Sequence, residues 1–576
     1  MRRFRTTAVL LPAALAIAAG MTGNAATVAV EVDLSADRRA IDPAIYGVSG
    51  SPDLSRLRYP FVRWGGNSTT RYNWQADVHN TAGDWFFMNI VDGNGSADGS
   101  AVQALIASTL ASGSRPLVTL STIGWTPLPV QQKRWSFSVD QYGPQLQTEC
   151  SYFGANPPAW CEADAGNGRC SPAANTSGHC SSDGYITGNA PTDTSLAAPP
   201  SFARGWVTHL QSRFGHAAAG GVRDYALDNE VMLWNSTHRD VHPQAPTYDE
   251  IWQRTLDYAS AVKQQDPAAR LFGPVTWGYC DLFGSAADNC VDGADRAAHG
   301  GTPFVKWYLQ QVCAHQQQTG VRLVDFLDLH YYPQGSGVVD FNDPPAGSET
   351  AEIAARRLRS LKELHDPAWS SESWISDLGN SPPWFYARPQ LLRRARAWID
   401  EACPGTKLAI TEYNWGADNG ASSAIAQAEL LSIFAREGVD AAARWVAPRE
   451  NSLVERAFRL YLDYDGQGRR VEGFSTRSHS ADGDALGAYA VHLPGQRIML
   501  LLINKATTAT TATITFDRPL HGAWRGFRFS ATSNLAQFGT GSIAGSQLAI
   551  ADLPPRSANL IELPDSDILF AHGFDP

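Results

Sequence analysis

The sequence predicts an α/β protein: a (β/α)8 TIM-like barrel carrying an additional all-β sandwich domain. Three observations predict it. From about residue 45 to 450, short apolar strand-like runs alternate with longer helix-like segments, the pattern of a parallel sheet with helical crossovers. After about residue 455 the helical signal gives way to short alternating runs at turn spacing, which reads as a sandwich. Ahead of both, residues 27–34 alternate, with Val28, Val30 and Val32 on one side, as a single strand contributed to that sandwich.

The elements follow in order. Residues 1–25 read as a signal peptide: Arg2, Arg3 and Arg5 precede a short apolar run, and small residues suit cleavage near Ala25. The expected product is secreted and has no membrane segment. Residues 26–44 supply the sandwich strand, and 45–455 form the barrel. Barrel strands are expected at Phe61–Trp64, Pro116–Leu120, Asp224–Leu227, Leu271–Pro274, Phe326–His330, Leu408–Glu412 and Ala443–Val446. An eighth falls near either Ile45–Val48 or Gly83–Asn89. Helices lie between them, among them Phe202–Phe214, Tyr248–Gln265, Pro303–Gln317, Pro389–Glu401 and Ser423–Arg436. The sandwich spans 456–564, beginning with a strand at Phe458–Tyr464, and 565–576 form a tail.

Composition limits the function. Apolar residues make up 43% of the 576 and charged residues 18%, enough for a large core and too little charge for a disordered chain. The net charge of −11 argues against a nucleic-acid partner, which requires a basic footprint. Eight cysteines in an exported chain imply disulfides. Four of them crowd into a loop at 150–200, which is expected to shape one end of a cleft, and Cys280 and Cys290 form a further expected pair. Phosphate loops, H-E-x-x-H and nucleophile-elbow motifs are missing from the sequence.

Two glutamates carry the chemistry. Glu230 ends Y-A-L-D-N-E and Glu412 ends L-A-I-T-E, each at the C-terminal end of a predicted strand. In a parallel barrel those ends make the active face. Two carboxylates meeting there can cleave a glycosidic bond, one protonating the leaving oxygen and the other attacking carbon or activating water. Polar and aromatic residues at neighbouring strand ends are candidate substrate ligands. Arg63 can pair with a carboxylate, Asn229 can bond a sugar hydroxyl, and Tyr331 can donate to Glu412. His330 and Asn67 also fall among the site-lining segments. Trp64, Trp74, Trp415 and Trp445 offer flat apolar faces for sugar rings. Seventeen of the 18 tryptophans precede residue 470, on the barrel side of the chain.

The segments R-W-G-G-N-S-T-T-R-Y-N-W, Y-G-P-Q, Y-A-L-D-N-E and I-T-E-Y-N-W-G closely resemble glycoside hydrolase family 44, over about residues 40–560. The resemblance implies a secreted endo-β-1,4-glucanase or xyloglucanase, a barrel-plus-sandwich fold and a retaining double displacement. It implies Glu230 as acid/base and Glu412 as nucleophile, roles that the residues alone leave open. It also implies a structural calcium in the barrel loops, for which Asp193 is the retained candidate. Ala190 and Gln75 stand where relatives carry acids. No cofactor is needed for catalysis, and the expected partner of a monomeric enzyme is a β-glucan such as xyloglucan or carboxymethylcellulose. A xylanase or arabinofuranosidase of the same architecture, or a non-catalytic carbohydrate-binding barrel, are the alternatives.

Overall fold

A computed structural model describes residues 26–129, 133–342 and 349–565. The expected signal peptide and the tail beyond Asp565 lie outside them. Among the described residues no helix is long and apolar enough to cross a membrane.

Eight parallel strands close a barrel: β1 (Gly47–Ser49), β2 (Phe61–Trp64), β3 (Arg115–Leu120), β4 (Asp224–Leu227), β5 (Arg270–Thr276), β6 (Phe326–Tyr331), β7 (Lys407–Tyr413) and β8 (Ala441–Arg444). Of the two candidates for the closing strand, the one near Ile45–Val48 is realised. Residues 83–89 instead lead into Met88–Val91, part of a separate four-stranded sheet. Alternate residues point into the barrel. Phe61, Leu117, Ala226, Phe272, Phe326, Ala409, Ala441 and Ala443 fill its interior, aromatic rings facing the small side chains of β7 and β8. The Phe272 and Phe326 rings stack 4.0 Å apart. Residues of the opposite parity, such as Tyr225, Leu271, Leu327 and Leu408, pack outward against the helical shell.

The helices obey local signals. Thr247 caps Tyr248–Gln265 by accepting from the Glu250 N–H, and Pro200 opens Pro200–Phe214 where its missing N–H is harmless. The expected strand at Phe458–Tyr464 is a correction. Leu453–Leu462 is a helix, capped by Ser452, and it crosses the expected sandwich boundary at 456. Val454, Ala457, Phe458, Tyr461 and Leu462 are buried at helical spacing, a period of 3.6 in place of the alternation of a strand.

Ala26–Asp33 joins the C-terminal strands in one sheet that folds over on itself, pairing antiparallel with Phe474–Ser480 and parallel with Thr510–Ser530. Its inner core holds Val28, Val30, Val32, Ile498, Leu500, Leu502 and Ile561. On strand Arg497–Asn504 the alternate residues Met499, Leu501 and Ile503 belong instead to the core between the barrel strands and their helical shell. That strand is therefore apolar on both faces and seals the sandwich to the barrel.

All eight cysteines are paired: Cys150–Cys161, Cys170–Cys180, Cys280–Cys290 and Cys313–Cys403. The first two pin the loop at 150–200, and the last joins two helices of the shell.

Candidate active site

The C-terminal ends of the barrel strands open into a cleft of about 560 Å³. Glu230 and Glu412 lie in it, with Asn67, Asp84, Gln334, Phe341 and Trp445 around them.

Glu230 is delivered by a strained turn after β4. Asp228 and Glu230 both adopt left-handed backbone, with φ of 74° and 48°. The buried Asp228 carboxylate holds that turn by accepting from the N–H groups of Thr122, Ile123 and Asn229. Glu412 reaches the cleft by a different device. The pairing of β7 slips between Ile410 and Tyr413, so Thr411 and Glu412, though consecutive, both meet groups from the barrel interior.

Each Glu412 oxygen has a donor. Arg63 Nη1 donates to Oε2 at 2.6 Å, and Tyr332 Oη donates to Oε1 at 2.7 Å. Arg63 is fully buried and also donates to Asn229 Oδ1. Its neighbours explain the paired glycines of R-W-G-G. A Cβ on Gly65 would strike the Arg63 guanidinium, and one on Gly66 (φ 104°) would come within 2.7 Å of the Trp445 ring. Burial and the Glu412 carboxylate raise the Tyr332 pKa, so its hydroxyl remains a donor.

Among the described residues the Glu230 side chain makes one hydrogen bond, 3.0 Å from Oε1 to His330 Nδ1. Burial, followed by the Glu412 charge, pushes its pKa well above the ordinary carboxylate range, with Arg63 opposing. Burial drives the His330 pKa well down, with Arg63 adding to it, so the ring is neutral. One carboxylate oxygen of Glu230, one of Glu412 and a His330 nitrogen all lie within 4.8 Å of one another. Such a triad has metal-ligand spacing, but Arg63 already supplies the positive charge beside Glu412.

Arg63, Asn229, His330, Asn67 and Trp445 thus meet at or beside the carboxylates. Asn67 donates to Asp84 and accepts from Asn229. Four expected residues lie elsewhere. Tyr331 is a correction: it points outward and donates to Glu363, and Tyr332 is the residue that donates to Glu412. Trp64 also points outward, edge-on to Tyr72 and Trp206. Trp74 packs against Phe202 and donates to its carbonyl. Trp415 is buried and donates to Ser360. None of these three offers a face to the cleft. The parity of the strands would have sorted two of them. Phe61 faces inward, so Arg63 does and Trp64 does not; Asp328 and His330 face inward, and Tyr332 continues their face. Asp84, Gln334 and Phe341 carried no sequence signal, since they come from loops between strands.

Asp193, the expected calcium ligand, ends the short turn Pro191–Asp193. Tyr142 donates to its carboxylate, and among the described residues no cluster of three or more His, Cys, Asp or Glu includes it. Calcium takes six to eight oxygens, carbonyls among them, and of the His, Cys, Asp and Glu side chains searched Asp193 brings a single carboxylate.

The sequence profile of glycoside hydrolase family 44 matches residues 78–335. Endoglucanase A of Paenibacillus lautus is 28% identical over 590 residues, covering 96% of this chain and 75% of that protein. A solved bifunctional glucanase-xylanase from a metagenome library, CelM2, superposes with a TM-score of 0.83 at 34% identity, covering 94% of this chain and 99% of its own. A family 44 xyloglucanase from Paenibacillus polymyxa superposes at 0.75 with 25% identity, covering 94% of this chain and all of its own. With the barrel, the sandwich and the paired carboxylates in place, this chain belongs to glycoside hydrolase family 44.

Proposed function

We propose that this glycoside hydrolase cleaves β-1,4-glucan backbones internally, with retention of anomeric configuration, through Glu230 as acid/base and Glu412 as nucleophile. The observation that carries the reading is the closeness of the two carboxylates, with oxygens within 4.8 Å. A retaining pair stands about 5–5.5 Å apart, whereas an inverting pair needs about 6.5–9.5 Å to admit water.

The surroundings favour that division of roles. Glu412, held by Arg63 and Tyr332 on separate oxygens, is fixed as a carboxylate aimed at the anomeric carbon. Glu230, buried and beside a like charge, keeps a proton to give to the leaving oxygen. In the second half-reaction Glu230 takes a proton from water, which attacks the glycosyl ester on Glu412. Since the acid form of Glu230 is required and its pKa is raised, activity falls as pH climbs through that pKa. The glucanase, endoglucanase and xyloglucanase relatives support a glucan backbone as substrate. Four disulfides support action outside the cell, after loss of the segment ending near Ala25.

A second reading has a specific support. The structural relative at 34% identity is a bifunctional glucanase-xylanase, so xylan belongs in the substrate panel. The test is product analysis on carboxymethylcellulose, xyloglucan, mixed-linkage glucan and xylan, with the fresh anomer read by NMR. Retention, and loss of activity in Glu230→Gln and Glu412→Gln, are expected. An inverted product would overturn the mechanism, wild-type activity in both variants would overturn the residues, and activity on xylan alone would overturn the substrate.

A further inference from the structure

Asp328 is a buried acid with no part in either half-reaction. It lies on the inner face of β6, two residues before His330, with no exposed surface. Both of its oxygens lie 2.8 Å from Thr411 Oγ1. Thr411 Oγ1 is 3.3 Å from His330 Nε2, and His330 Nδ1 is 3.0 Å from Glu230 Oε1. A continuous buried chain therefore joins Asp328 to Glu230 through one hydroxyl and one imidazole. We propose that Asp328 and Glu230 share a single proton along this chain, making Asp328 a positioning residue that sets the protonation of the acid. The inference rests on Glu230 being that acid.

In one arrangement Glu230 O–H donates to His330 Nδ1, Nε2–H donates to Thr411, and Thr411 O–H donates to the Asp328 carboxylate. If each proton moves one step, Asp328 holds the proton, Thr411 donates to Nε2, and Nδ1–H donates to the Glu230 carboxylate. Net charge is unchanged. A neutral imidazole has one donor and one acceptor nitrogen, so it serves either arrangement but cannot accept from both ends at once. Burial keeps His330 neutral, so the chain holds one proton, not two. Burial also lifts Asp328 to about 7, opposed by Thr411 and Arg63, while Glu230 is raised as well, which brings the two ends towards balance. The other charged groups facing this pair are Arg63 on β2, Glu412 on β7, and Asp281 and Asp84 beside Glu230.

The ionised Asp328 selects the Nε2–H tautomer and so favours the acid form of Glu230. In Asp328→Asn the amide donates to Thr411, which then donates to Nε2, and Nδ1–H is left to stabilise the Glu230 carboxylate. The experiment is the pH profile of kcat/KM on carboxymethylcellulose for wild type, Asp328→Asn, Thr411→Val, the double variant and Thr411→Ser. We expect the alkaline limb of Asp328→Asn to move to lower pH by about one unit. Thr411→Ser, which keeps the hydroxyl, should keep the wild-type limb. The Thr411→Val and Asp328→Asn effects should be non-additive, because either one cuts the same chain. An unshifted limb in Asp328→Asn, additive shifts in the double variant, or a Thr411→Ser limb displaced as far as that of Thr411→Val would overturn the proposal. Thr411→Val and Thr411→Ser decide the matter if Asp328→Asn does not fold. Failure of the acid/base assignment would show separately, as wild-type activity in Glu230→Gln.

Discussion

The Cys313–Cys403 cross-link closes 90 residues of chain, against 10 for Cys170–Cys180. It ties the helix Phe304–Thr319 to the end of Leu391–Ala402, and the closed segment contains β6 with His330, followed by Tyr332. A disulfide acts mainly by restricting the unfolded chain, with an entropy that grows as the logarithm of loop length. On that relation the long loop contributes about 4.6 kcal/mol and the short one about 2.7 kcal/mol at 25 °C. The perturbation is Cys313→Ala/Cys403→Ala, compared with Cys170→Ala/Cys180→Ala. Each deletes two sulfurs, so the packing loss enters both, and the ninefold ratio of separations remains as 1.5RT times its logarithm, about 2 kcal/mol. Equilibrium urea unfolding of both variants, followed by tryptophan fluorescence, measures that difference. Activity of the Cys313/Cys403 variant at low temperature should stay near wild type, because β6 is held by its pairing to β5 and β7 and not by the cross-link. Equal stability losses in the two variants, or the larger loss in the Cys170/Cys180 variant, would refute the loop-length argument.

Three further outcomes follow from the site and its rim. Tyr332→Phe removes a hydrogen bond to the Glu412 carboxylate and should lower kcat/KM on carboxymethylcellulose roughly 10- to 150-fold, the equivalent of ~1.5–3 kcal/mol. Tyr331→Phe should instead leave kcat/KM within about twofold and destabilise the fold by ~1–3 kcal/mol through the buried Glu363; the reverse pattern would reject the exchange of roles. From Trp85, next to Asp84 of the cleft, a chain of ring contacts runs through Tyr152 and Phe153 of the Cys-pinned loop and ends on its Trp160, which is 56% exposed. Trp160→Ala should raise KM on long glucans about fivefold, worth ~1 kcal/mol of stacking, and leave short oligosaccharides unaffected. Identical product profiles and KM values would remove this loop from substrate binding.

Much of the barrel was legible because its strands are short apolar runs between helices with ordinary caps, and each period is a local property. The two glutamates were legible because a polar residue ending a buried strand is conspicuous. Facing is less legible than period. Tyr331 and Tyr332 are chemically identical, and only the parity of β6 distinguishes the one that meets Glu412 from the one that meets Glu363. At Thr411–Glu412 parity itself fails, because the slip in β7 turns two consecutive residues towards the interior, and no spacing rule contains a slip. The helix Leu453–Leu462 differs from expectation for the opposite reason: its helical period is present in the sequence, but it adjoins a run of strand signals.

The sequence alone determined the fold class, the family and the pair of glutamates, since these rest on periodicity and on ordered motifs along one chain. Tertiary structure decided which tryptophans face the cleft, which tyrosine holds Glu412, and that Cys313 meets Cys403 across 90 residues. It also decided that Asp328, Thr411 and His330 line up behind Glu230. The physical reason is that those contacts join strands far apart in the chain, and their geometry is set by barrel closure, strand register and one local slip, none of which is written in the spacing of residues.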